Sequence, residues 1–135
     1  MRRLCGYYCL GLALSLGAFA LGCGKRQPAV VCHVTYGGET KRLEFPATQS
    51  PYTVKPVDVA GRFAFKAIYL REPARARSIS LYAYERTDAG DRLIQEGMYT
   101  PHLSLRADAG HGFTGRQLAY SRDQRELEYW CELSP

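Results

Sequence analysis

From Val30 onward, apolar residues recur at every second position, and that period limits the fold more tightly than anything else in the chain. Val30, Cys32 and Val34 alternate with Val31, His33 and Thr35. Gly37-Gly38 then supplies the positive φ angles of a two-residue hairpin turn. The return strand, Glu39 to Phe45, carries Lys41, Leu43 and Phe45 on one side. A two-residue loop pairs Tyr36 with Glu39, which sets Cys32 opposite Leu43 and Val30 opposite Phe45. Both strands then turn their apolar side chains to one face.

The same period continues between turn signals. Tyr52 to Val59, interrupted by Pro56, reads as an edge strand because proline cannot donate to a ladder. Arg62 to Leu70 is apolar on both faces, as expected of a well-buried strand. Ser78 to Tyr84 sets Ile79, Leu81 and Ala83 against Ser80, Tyr82 and Tyr84, and Leu93 to Tyr99 returns after the turn at Asp88 to Asp91. A short strand near Gln117 to Ser121 and a strand carrying Leu127, Tyr129, Cys131 and Leu133 complete the chain. No segment has a convincing helical stripe. The expected fold is an all-β, small antiparallel β-sandwich, immunoglobulin-like or a related Greek key, of about seven or eight strands over residues 30–135. The Tyr129-x-Cys131 spacing is similar to the tyrosine corner of immunoglobulin-type domains, although the cysteines there lie on inner strands.

The start of the chain has a different character. Met1-Arg2-Arg3 is a basic start, and Leu4 to Gly22 is uncharged and leucine-rich, as in a secretory leader. Ala18-Phe19-Ala20 fits an ordinary signal-peptidase site. Phe19-Ala20-Leu21-Gly22-Cys23 resembles the lipobox of bacterial lipoproteins. That resemblance implies a signal peptide over residues 1–22, removed before a diacylglyceryl-modified Cys23 that also takes a palmitate-type N-acyl chain. Gly24 to Ala29 would be a short exposed tether. By the same resemblance, a glycine after the cysteine favours the periplasmic face of the outer membrane. A soluble periplasmic protein is the alternative.

Five cysteines test the two cleavage readings. Cys5 and Cys9 leave with the leader under either. Cleavage after Ala20 strands an odd thiol in an oxidising compartment, whereas lipidation of Cys23 leaves Cys32 and Cys131 to pair. Both fall on inward positions of the first and last strands. A bridge there closes nearly the whole domain, worth roughly 4–5 kcal/mol in the chain-entropy model. A domain this small has a modest core, so the bridge matters.

Charge argues against nucleic acid. The formal charge is +5, yet removing Arg2, Arg3, Lys25 and Arg26 from the 18 basic residues leaves 14 against 13 acidic ones. The length excludes a large two-domain enzyme. His102, Asp108 and His111 are the one cluster with metal-ligand side chains, at a spacing that matches no known motif. The glycine-rich run Gly110 to Gly115 opens no helix and reads as a turn rather than a phosphate loop. Ser104 near His102 lacks a nucleophile elbow. Arg71, Arg75 and Arg77 form a basic loop that reads as solvated.

These features lead to a lipid-anchored, non-enzymatic binding or structural module with no cofactor and no metal. Its partner would be an envelope protein, a glycan or an invading hydrolase. The expected working surface is the irregular segment Pro101 to Gly115, with His111 and Phe113, joined by the outward aromatics Tyr82, Tyr84 and Trp130. The alternative is a small periplasmic hydrolase or metal-dependent enzyme using His102 and His111.

Overall fold

A computed structural model describes residues 24, 26–100 and 110–134. Eight antiparallel strands form two four-stranded sheets. They are β1 (Ala29–Tyr36), β2 (Glu39–Pro46), β3 (Val57–Val59), β4 (Phe63–Leu70), β5 (Ser78–Thr87), β6 (Gly90–Tyr99), β7 (Gln117–Tyr120) and β8 (Glu126–Ser134). One sheet runs β2-β1-β8-β7 and the other β3-β4-β5-β6.

The β1–β2 hairpin has the register that its Gly-Gly turn dictates, with Tyr36 opposite Glu39 and Cys32 opposite Leu43. Gly37 and Gly38 both adopt positive φ. β8 lies on the other side of β1, and Cys32 faces Cys131 directly. The two are disulfide-bonded, 99 residues apart in sequence, with Cα atoms 4.1 Å apart.

Within each sheet, every strand lies beside a neighbour in sequence, except where β8 returns to β1. The connectivity is therefore an up-and-down meander closed by its own ends. The Greek-key expectation is corrected on this point. Each turn between strands is short enough to form a hairpin, so no long crossover is needed within either sheet. The first and last strands are the inner strands of their sheet, and the bridge lies within that sheet rather than between sheets.

The core sits between the sheets. Val30, Cys32 and Val34 of β1 and Leu127, Tyr129 and Cys131 of β8 meet Phe63, Phe65 and Ala67 of β4 and Ile79, Leu81 and Ala83 of β5. Phe65 is its aromatic centre, 4.9 Å from the Tyr129 ring and 6.3 Å from that of Phe45. β4 is buried on both faces, Ala64 and Ile68 included.

Two local features depart from simple alternation. The segment from Tyr52 is not one edge strand: Pro51–Thr53 forms a 3-10 turn, and only Val57–Val59 pairs with β4. Pro51 and Pro56 withhold the donors that a longer ladder requires. In β6 the register shifts between Ala83 opposite Gln95 and Tyr84 opposite Leu93. Ile94 is the extra residue of this bulge and joins the core, which turns Leu93 to solvent.

Candidate functional site

The meander gives the molecule two outward sheet faces, and each carries aromatic side chains. On the β3-β4-β5-β6 sheet, Tyr82 and Tyr84 lie two residues apart on β5 and so project to the same side. Their rings stack with centroids 6.3 Å apart and planes at 22°. Lys66, directly opposite Tyr82 on β4, sets its ammonium 5.0 Å from the Tyr82 centroid and 5.8 Å from that of Tyr84. On β6, Leu93 faces Tyr84 and Met98 faces Ser80. Met98 is 68% exposed and Leu93 47%. The result is a face carrying two tyrosines, a lysine and two solvent-facing apolar side chains, with the exposed Glu96 opposite Tyr82 and between Leu93 and Met98.

The opposite sheet has a more polar row. Pairing Cys32 with Cys131 places His33 opposite Trp130, one step along each strand. The rings stack 3.9 Å apart and nearly parallel at 10°. His33 Nε2 lies 2.9 Å from Glu132 Oε1. His111 meets the Trp130 ring edge-on at 5.8 Å. Beyond these rings, Arg42 pairs with Glu44 and Arg116 with Glu128.

His111 is held there by the segment that follows it. Beyond the end of β7, the backbone groups of Cys131 on that side need partners. Phe113 donates its N–H to the Cys131 carbonyl at 2.9 Å, and Cys131 donates its own to Thr114 Oγ1 at 2.8 Å. Gly112, at φ +59°, passes so close that a Cβ would stand 2.0 Å from the Cys131 carbonyl oxygen. Its freedom serves this contact with β8.

Of the residues singled out from sequence, Tyr82, Tyr84 and Trp130 all stand on outward faces, half-buried among neighbouring side chains. The structure brings His111 to Trp130, while the tyrosines occupy the other sheet. Phe113 turns inward and packs edge-on against Tyr99 at 5.3 Å, so its apolar surface is shared with the core. His102, Ser104 and Asp108 lie outside the described residues. Among the described residues, no group of three or more His, Cys, Asp or Glu side chains is placed to hold a metal ion. No helix among them is long and apolar enough to cross a membrane.

Sequence reasoning missed His33, Lys66, Leu93 and Met98. His33 was legible, because an antiparallel Cys32–Cys131 pair forces it opposite Trp130. Lys66 and Met98 required the β4–β5–β6 register. Leu93 required the bulge, which nothing in the local sequence announces. Comparison with protein-family models, characterised proteins and solved structures returned no match for this chain.

Proposed function

We propose that this chain is a lipid-anchored envelope protein whose sandwich works by binding a partner protein, without catalysis, through the outward face of β4, β5 and β6. The carrying observation is that Tyr82, Tyr84, Leu93 and Met98 share one outward sheet face, with Lys66 and Glu96 among them. Tyrosine and methionine are enriched in protein interfaces, and a cation over the aromatic rings with Glu96 beside them adds direction to the aromatic and apolar side chains. The Cys32–Cys131 bridge supports export, since such bonds persist in oxidising compartments. Lipidation at Cys23 would then hold the domain at the membrane, and two or more acyl chains anchor durably. A second reading attaches to the other sheet. Trp130 flanked by His33, His111 and Glu132 combines an aromatic ring with hydrogen-bonding groups, a composition that suits a sugar ring.

The test is recovery of partners with the full-length protein after mild detergent extraction. Leu93→Glu with Met98→Glu changes exposed side chains and is expected to cut recovery roughly tenfold, the loss of about 1.4 kcal/mol. Undiminished recovery with this pair and loss with Trp130→Ala would transfer the site to the opposite sheet. Acylation is checked separately by mass spectrometry of the N-terminal peptide beginning at Cys23.

A further inference from the structure

The strand pairing collects several chain segments at one end of the sandwich. Ala29, where the tether enters, lies between Pro46 and Ser134. Thr48 bridges to Leu70, and the Thr48 N–H bonds the Tyr69 carbonyl at 2.8 Å. The 71–77 loop that joins β4 to β5 therefore projects from the same end as the tether. Two hydrogen bonds tie the tether down there. Gln27 Nε2 donates to the Ala47 carbonyl at 2.6 Å, and the Ala47 N–H donates to the Pro28 carbonyl at 2.9 Å. A cleft of about 210 Å³ separates Gln27, Thr48 and Gln49 from Arg71 and Glu72.

The two ends hold their arginines differently. At the far end, Arg86 pairs with Asp58 at 2.7 Å and with Asp91 at 3.3 Å, Arg92 with Glu85, and Arg125 with Asp123 at 2.7 Å, while Arg62 and Arg122 form no ion pair among the described residues. At the tether end, Arg26, Arg71 and Arg77 form no ion pair among the described residues. Arg77 instead bonds the Arg71 carbonyl through Nε at 3.2 Å, which ties the two ends of the loop together. Glu72 is the one acidic residue of the loop.

We propose that this pole faces the membrane, with Arg26, Arg71 and Arg77 held against the headgroups of anionic phospholipids. The inference rests on lipidation at Cys23 and deepens that reading. From Cys23 to Ala29 an extended chain reaches about 20 Å at most. Gln27 and Pro28 are already hydrogen-bonded to the loop after β2, so the usable reach is shorter. The pole is thus confined near the surface, within a distance over which headgroup charge acts at low salt. The cleft beside Arg71 carries the hydrogen-bonding side chains of Gln27, Thr48 and Gln49, groups that can meet the phosphate oxygens of a headgroup.

The experiment uses the full-length acylated protein in lipid discs of phosphatidylcholine alone or mixed with phosphatidylglycerol. Hydrogen exchange of residues 71–77 is expected to slow about threefold or more in the anionic discs, with the effect lost at high salt. The variant Arg71→Gln with Arg26→Gln should lose this protection while keeping its melting temperature. Equal exchange in both lipids, or equal slowing at the far turn around Asp88, would overturn the assignment. Slowing by inorganic phosphate in neutral discs would also overturn it, in favour of a soluble anion site. Should mass spectrometry find Cys23 unmodified, the anchor reading fails by itself. Sedimentation of that chain with phosphatidylglycerol vesicles then decides the pole independently: binding supports it and failure to bind ends it.

Discussion

Gly112 is the residue where a single atom matters most. A Cβ would meet backbone rather than a movable side chain, and the φ of +59° is itself unfavourable for other residues. Gly112→Ala is expected to cost roughly 3 kcal/mol or more, read as a fall in denaturation midpoint. Gln95 is the opposite case. Its Oε1 is buried without a partner on the inward side of β6. Gln95→Met is expected to leave stability unchanged or raise it by about 1 kcal/mol in chemical denaturation, because an unsatisfied acceptor is removed and the volume is kept. Tyr129 sets a limit in alkali. Burial holds its phenol well above the ordinary tyrosine range, and Tyr99 nearby adds to the effect. A neutral form favoured by the fold contributes fully below the unfolded value near 10 and is lost as pH climbs past it. Thermal melts should therefore decline above about pH 10, and Tyr129→Phe should flatten that decline.

At the scale of elements, the hairpins were the most legible parts. Gly37-Gly38 dictated both the turn and the register of β1 and β2, down to Cys32 opposite Leu43. The alternation in β5 correctly assigned Ile79, Leu81 and Ala83 to the core and Tyr82 and Tyr84 to the outside. Alternation says nothing about which strand is a neighbour, so sheet order was open, and the Greek-key guess followed a common architecture rather than these residues. Nor does it register the β6 bulge, where a one-residue insertion moves Ile94 inward and Leu93 outward. The extra residue keeps Leu93 in register with Tyr84 on the outer face. Deleting Ile94 should restore simple pairing with Leu93 still opposite Tyr84, so partner recovery is expected to persist while the lost core contact of Ile94 lowers the denaturation midpoint.

For the whole molecule, the β1–β8 pair decides how the fold is completed. The two inner strands of one sheet come from opposite ends of the domain, and the disulfide joins them at mid-strand. Reduction is expected to remove roughly 4–5 kcal/mol and lower the melting temperature markedly. Two free thiols at Cys32 and Cys131 in the non-reduced protein would contradict the structure directly. The covalent link also has a mechanical meaning should the domain be held by its N-terminus, as proposed. Tension along the tether would enter at Ala29 and unzip β1 from Pro46 and Ser134 one pair at a time. Peeling could advance past Val30 and Val31, but at Cys32 the force passes through a covalent bond into β8, and the two strands must then be dragged from the sheet together. In single-molecule pulling, the oxidised domain should extend by only those first few residues before a high-force event, and the reduced one should unravel β1 without that stop.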